Sequence, residues 1–333
     1  MIQLTGYTVV TDSSEPCMIM LCGLPGSGKS YLTRYLFVDT PSGQHQAPAV
    51  HSSDAIRQEL LGDANDQSQT QRIFQTLHKR IRRDLIDGRH VIYDATNLHR
   101  KQRRAFLQSL QKIPCQKICI LTATEYALCC QRNKQRERTV PQDVMENMLR
   151  SFQPPAYTEG FDQISLFYTT EPFAHKRPYN TEPYLKHFDA VRHFDQQNEH
   201  HSKTLYDHCV CAAQYLMNHP PVDDVLCCAA LLHDCGKPAT QTHYNAKGEL
   251  DGNCHYYGHE NAGAYFSLFL APALNSLFSD DDVLYIANLI SYHMRPYTAW
   301  KSSEKAYQRD LHMCGRYFIE DVELLHEADM AAK

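Results

Sequence analysis

Two rhythms of apolar residues divide the chain. In the first half, short apolar runs recur at 17–22 (CMIMLC), 91–97 (VIYDATN) and 117–123 (KICILTA). Runs this short and this apolar predict strands buried on both faces. A shorter strand is expected in PAVHSS, 48–53. SYLTRYLF at 30–37 and the segments 67–87 and 100–111 repeat their apolar positions at helical spacing. Strand and helix in alternation predict an α/β domain, a parallel sheet with helices on both faces. From about Tyr179 the rhythm becomes helical, over 204–218, 222–236, 258–271, 281–294 and 306–331, with little that reads as strand. The intervening 172–187 holds three prolines and reads as a linker. The expected layout is an α/β P-loop domain over 1–171, a linker over 172–187 and an all-α domain over 188–333.

Composition adds little to this until the charges are split. A length of 333 residues favours two domains, and 43% hydrophobic with 21% charged residues is ordinary for a globular chain. No apolar run approaches the roughly 18 residues that span a bilayer, so no membrane partner is expected. The first residues lack a signal-peptide pattern. The 13 cysteines include no C-x-x-C pair and read as buried thiols of a cytoplasmic protein. Up to Glu171 there are 20 Lys+Arg against 17 Asp+Glu; the remainder has 13 against 21, and 12 of the 19 histidines lie beyond His187. A mildly basic half and an acidic, His-rich half suggest different work in each.

The first run opens into GLPGSGKS, which supplies Gly23, Gly28, Lys29 and Ser30 of G-x-x-x-x-G-K-[ST] between a strand and a helix. Gly23, Gly26 and Gly28 let backbone N–H groups approach phosphate oxygens. Lys29 is expected to reach the β- and γ-phosphates of ATP or another NTP, and Ser30 to ligate Mg²⁺. In HSSDAIRQEL, 51–60, Asp54 follows the short strand, where a carboxylate accepts the proton of an attacking hydroxyl or caps the helix. Arg57, one turn on, suits a substrate phosphate. Asp94 ends the strand of VIYDATN and stands with the substrate-binding candidates as a support of the magnesium site; with Thr96 and Asn97 it could equally fix the turn. Arg132, Arg136 and Arg138 in RNKQRERTV read either as a lid that closes on the transferring phosphoryl group or as a solvated basic face.

Taken together, this loop, D-x-x-R, DATN and arginine-bearing lid resemble the kinase module of polynucleotide 5′-hydroxyl kinases over about 15–170. FQPPAYTEGFDQI, 152–164, resembles their closing segment. The resemblance implies that Lys29 and Ser30 hold ATP·Mg²⁺, Asp54 is the general base, Arg57 clamps the phosphate beside the terminal nucleoside, and Arg132 and Arg136 belong to the lid. The basic stretches Lys79–Arg83 and Arg100–Arg104 read either as guides for a nucleic-acid backbone or as charges that keep the surface soluble.

The helical half carries a different chemistry. AALLHDCGKP, 229–238, sets His233 beside Asp234 in an apolar run. His208, His259, His293 and Asp329 stand on other predicted helices, and imidazoles with carboxylates suit divalent transition metals. This series resembles the HD phosphohydrolase superfamily over about 188–333, with QNEHHSKTLYDH and GHENAG most like HD domains that accompany nucleotide-processing enzymes. The resemblance implies that His208, His233, Asp234 and Asp329 are ligands, that His259 and His293 match the extra ligands of the two-metal subset, so that one or two ions of Mn, Ni, Co or Fe are held, and that Lys237 contacts substrate phosphate. Enzymes that join these two modules place HD first; here the kinase comes first. The pairing implies RNA or DNA ends as substrate, phosphorylated at a 5′-OH and hydrolysed at a 2′,3′-cyclic or 3′ phosphate, and a separate ligase as partner. The other reading is a small-molecule or nucleotide kinase joined to a nucleotide phosphohydrolase.

Overall fold

The computed structural model describes residues 2–41, 45–169, 191–192, 194, 203–219 and 222–333, with backbone alone for 2–5. The expected linker, 172–187, lies outside the described residues. Tertiary contacts divide the chain into two units: Met1–Met145 with Pro155–Arg177, and Glu146–Pro154 with Pro178–Lys333.

The first unit is built on strands β3 (Cys17–Cys22), β6 (Ala49–Ser52), β7 (Val91–Asp94), β8 (Gln116–Ala123) and β9 (Gln163–Tyr168). They form one sheet in the order β6-β7-β3-β8-β9, and every pair is parallel. All six residues of β3 are fully buried, so both faces of this central strand are covered. Its Cys17, Ile19 and Leu21 pack with Leu32 and Leu36 of the helix region α1 (Lys29–Tyr35). The other helices are α2 (Ser53–Leu61), α3 (Thr70–Ile86), α4 (Arg100–Ser109), α5 (Tyr126–Lys134) and α6 (Gln142–Arg150), in which the second unit begins at Glu146. A small second sheet was not expected. It joins β1 (Ile2–Thr5), β2 (Thr8–Thr11), β4 (Phe37–Asp39) and β5 (His45–Gln46). Residues 30–37, expected as one helix, therefore end as strand at Phe37.

The second unit is mainly helical: α7 (Leu205–Met217), α8 (Asp224–Leu232), α9 (Lys237–Thr240), α10 (His259–Leu274), α11 (Asp280–Tyr292), α12 (Glu304–Cys314) and α13 (Arg316–Ala331). α10 is apolar nearly all round and is buried along most of its length, which suits a central helix. The expected helix 306–331 is broken at Gly315, whose φ of 87° belongs to the left-handed region. A hairpin of β10 (Thr242–Tyr244) and β11 (Leu250–His255) interrupts the helices where none was expected. Its positions at Gly248 and Gly252 both take positive φ. No helix of the described residues is long and apolar enough to cross a membrane. All 13 cysteines are described, and none forms a disulfide.

Candidate active sites

In the parallel sheet, Leu21 pairs with Asp94, and Asp94 pairs with Ser52. The C-terminal ends of β3, β7 and β6 are therefore level. Ligands of open α/β sheets bind at this edge. The loop after β3 turns at Gly23, Gly26 and Gly28, with φ of 153°, 79° and 94°. A Cβ on Gly23 would stand 2.2 Å from Thr122 Oγ1, and one on Gly26 would stand 2.3 Å from Cys129 O. Side chains are thus excluded from two of the three loop glycines by packing as well as by φ. Lys29 begins α1 and is buried; its ammonium donates to Gly23 O and Leu24 O, both at 2.8 Å. Burial lowers its pKa, with the Asp94 carboxylate opposing. Asp94 is shifted the other way: burial raises its pKa, with Lys29 opposing. Ser30 is exposed in the first turn of α1.

DATN serves two ends at once. Gly23 N donates to Thr96 O at 3.0 Å, and Asn97 Nδ2 to Leu21 O at 2.8 Å. Asn97 sits at φ 47°, a conformation its short polar side chain tolerates. Thr96 and Asn97 therefore hold the turn against the loop, while Asp94 stays in the field of Lys29.

Asp54 is the second residue of α2, and Ser52 is the N-cap. Its carboxylate lies between two guanidiniums: Arg57 Nη1 at 2.8 Å from Oδ1 and Arg138 Nη1 at 2.5 Å from Oδ2. Arg138 also donates to Asn65 Oδ1 at 2.8 Å. Arg57 is 4% exposed, and its buried Nε makes no hydrogen bond. The lid arginines differ in setting. Arg132 is buried and donates to Thr169 Oγ1 at 3.2 Å; Arg136 is exposed and lies within the fields of Lys29 and Asp94.

Sequence reading missed a set of buried hydroxyls under the loop. Ser27 Oγ and Thr122 Oγ1 are 2.6 Å apart, Thr124 donates to Ser27 O at 2.9 Å, and Thr124 bonds Thr169. The available signal was LTAT at the end of β8, where hydroxyls replace aliphatics. Several basic residues offered for a nucleic-acid backbone are engaged elsewhere. Arg80 binds Glu59 through both nitrogens, at 2.7 and 2.5 Å, and buried Arg103 binds Glu159 at 2.8 and 2.6 Å.

The helical unit gathers six predicted ligands. His208 lies on α7, His233 caps the C-terminus of α8 with Asp234 next, His259 opens α10, His293 caps the C-terminus of α11 and Asp329 lies on α13. They form two triplets, His208–His233–Asp329 and Asp234–His259–His293, each with its ligand atoms within 4.8 Å. Asp234 faces both triplets. Its Oδ2 lies 3.6 and 3.4 Å from Nε2 of His208 and His233, and its Oδ1 lies 3.2 and 3.7 Å from Nε2 of His259 and His293. Asp329 Oδ1 is 3.0 Å from His208 Nε2.

The backbone sets the tautomers. Nδ1 of His233, His259 and His293 lies 2.7, 2.8 and 2.7 Å from the carbonyl three residues upstream, of Ala230, Tyr256 and Ile290. His208 Nδ1 lies 3.4 Å from Ala332 O. A carbonyl only accepts, so Nδ1 carries a proton and Nε2 is the nitrogen turned toward the other ligands. At α8 and α11 the acceptor is a carbonyl of the last helical turn; Ile290 O also accepts from the backbone N–H of His293 at 3.4 Å.

Nε2 atoms of His208 and His233 stand 3.2 Å apart, and those of His259 and His293 stand 3.1 Å apart. Two nitrogens each ~2.1 Å from one cation at a near-right angle stand about 3 Å apart. The donor set thus fits two divalent cations sharing the Asp234 carboxylate. Burial opposes ionisation of Asp234, but Lys237 and His233 outweigh it and hold its pKa well below the usual range. Burial likewise opposes the charged form of His233, and Asp234 outweighs it, raising the pKa. Lys237 Nζ sits 2.6 Å from Asp234 Oδ2 and 5.7 Å from the centre of the Tyr256 ring. His255 pairs with Asp251 at 2.9 Å; His201 lies outside the described residues.

An AAA-domain model matches residues 18–155, and an HD-domain model matches residues 199–327. Similar solved structures include a putative kinase from Chloroflexus aurantiacus J-10-fl, 18% identical over 47% of this chain and 90% of that chain, TM-score 0.37. A gluconokinase from Sinorhizobium meliloti 1021 is 16% identical over 47% of this chain and 85% of that one, TM-score 0.32. No curated protein sequence matches the chain. The Gly23–Ser30 loop thus falls within the part of the chain that matches an AAA domain, and the six His and Asp residues, except Asp329, within the part that matches an HD domain.

Proposed function

We propose that this enzyme, a kinase-like P-loop domain followed by an HD phosphohydrolase domain, heals both ends of broken nucleic acid. It phosphorylates a 5′-OH at the expense of an NTP and hydrolyses a 2′,3′-cyclic or 3′ phosphate. The observation that carries this reading is the Asp54 carboxylate held between Arg57 and Arg138, on the sheet edge that also presents Lys29 and Asp94. A hydroxyl acceptor with a phosphate close by finds a base and cations there together. The 5′ end of a polynucleotide has that chemistry.

In the transfer step, Asp54 takes the proton of the 5′-OH. The new P–O bond forms as the bond between the γ-phosphorus and its bridging oxygen breaks, with the electron pair leaving on the NDP. Loop N–H groups and Lys29 bind the phosphates, Ser30 is the Mg²⁺ ligand, and Arg132 and Arg136 offset charge on the moving group. Asp94 supports the magnesium site.

In the helical unit, His208, His233, Asp234, Asp329, His259 and His293 would hold two ions of Mn, Ni, Co or Fe. Bound there, the pair supplies Lewis acidity and a hydroxide near neutral pH. The carbonyls of Ala230, Tyr256 and Ile290 hold the rings of His233, His259 and His293 in place before loading, and an ion that binds there displaces any proton on Nε2. Lys237 binds the substrate phosphate. A separate ligase would seal the healed ends.

The test is a short RNA, and its DNA counterpart, with a 5′-OH and a blocked 3′ end, given ATP with Mg²⁺ and, separately, Mn²⁺, Ni²⁺ or Co²⁺. The RNA carries a 2′,3′-cyclic phosphate and the DNA a 3′-phosphate. Gain of 5′-phosphate with opening or loss of the terminal phosphate is expected. If neither end changes while free nucleosides or nucleotides are turned over, the small-molecule reading replaces this one.

A further inference from the structure

Proposed metal ligand His293 is followed by MRPYTAW, and here the chain leaves α-helical geometry. Pro296 has no N–H to donate one turn back, and Trp300 N donates to Arg295 O at 3.0 Å, five residues upstream. Such a π turn re-aims side chains, and π turns occur often at functional sites. This one is braced. Arg295 Nε and Trp300 Nε1 donate to Oδ2 of buried Asp310 at 2.9 and 3.0 Å. The side chain it redirects is Tyr297, whose hydroxyl donates to Asp329 Oδ2 at 2.8 Å. The Tyr297 ring stands edge-on to His326 at 4.4 Å between centroids, and Lys333 Nζ lies 4.6 Å above it.

Asp329 is thereby divided. Oδ2 is engaged by Tyr297, and Oδ1 faces His208 and His233 at 3.0 and 3.7 Å. We propose that Tyr297 is a positioning residue that restricts Asp329 to one-oxygen ligation, so the His208–His233 subsite keeps a coordination position open for substrate. This rests on the two-metal reading of the helical unit. The effect is local to one subsite, because Asp329 belongs to one triplet only. Removing the hydroxyl frees Oδ2 to turn toward the ion and also loosens the carboxylate.

The experiment loads chelator-treated full-length protein with Co²⁺ or Mn²⁺, comparing wild type with Tyr297→Phe. Wild type is expected to take up two ions. In the variant, one of the two affinities should change by about 10–100-fold, the size typical of losing a partner to a ligand, while the other holds. The visible Co²⁺ spectrum of the affected equivalent should shift, since the number and geometry of its oxygen ligands change; a purely structural role would leave that spectrum alone. Circular dichroism and 5′-phosphorylation serve as folding controls. Wild type that takes up no ion overturns both the metal reading and this proposal. Wild type that takes up two, with Tyr297→Phe matching it in affinity and spectrum, overturns the role of Tyr297 alone.

Discussion

Asp234 and Asp54 are each one carboxylate shared between partners, and they differ in how much of that the sequence displays. The His-Asp doublet is legible because histidine beside aspartate in an apolar run has few structural uses. The other ligands follow as single His or Asp residues on separate helices, and the structure brings all six together. The partners of Asp54 are less legible. Arg57 is visible one turn along, but Arg138 is 84 positions away in an exposed basic run, where charge alone cannot single it out. Tyr297 escaped notice for a similar reason: a tyrosine near a histidine carries no signal until a π turn aims it. Asp54→Ala is expected to lower 5′-phosphorylation by about 10²–10⁴-fold, the range for losing a general base. Arg138→Ala should lower it less, and the double variant should be no worse than Asp54→Ala, because the arginine acts through the carboxylate. Full additivity of the two losses in kcat/KM would refute that coupling.

Among elements, the long apolar strands and helices were readable, and the short or interrupted ones were not. β3, β7 and β8 are buried runs whose period leaves no choice. β4 and β5 have three and two residues, too few to show a pattern, and the β10–β11 hairpin is mostly exposed and polar. The break at Gly315 lies inside a helical period, where one glycine does not by itself distinguish a kink from a stop. Gly236 shows what such positions do. It stands between Asp234, a proposed metal ligand, and α9, where a Cβ would come within 2.1 Å of His259 O and 2.5 Å of Gly263 N. Both neighbours are backbone atoms and cannot step aside. Gly236→Ala is therefore expected to destabilise the helical unit by about 1–3 kcal/mol or more and to move His259 off its place. Thermal melting and Mn²⁺ uptake would check this, and a variant that melts and loads like wild type would show that α9 and α10 can separate at little cost.

For the whole molecule, the division into two chemistries was legible from the change of rhythm near Tyr179, whereas the return of Glu146–Pro154 to the helical unit was not. On the proposed reading each unit carries the groups for one reaction. Lys29→Ala should abolish 5′-phosphorylation and leave phosphoester hydrolysis within about twofold, and Asp234→Ala should do the reverse, each read on the same RNA. Loss of both activities in either variant, with the fold intact by circular dichroism, would mean that the reactions are obligatorily linked. The carbonyls of Ala230, Tyr256 and Ile290 that orient three imidazoles have a consequence for descent. Any amino acid supplies the same carbonyl, so substitutions there are limited by the fit of these buried side chains and not by the hydrogen bond to the histidine. A deletion or insertion between the carbonyl and its histidine cannot be absorbed in this way, because it moves the carbonyl off its three-residue offset. Over descent, substitutions that keep the packing are therefore expected to be tolerated better than length changes at the ends of α8 and α11 and just before α10.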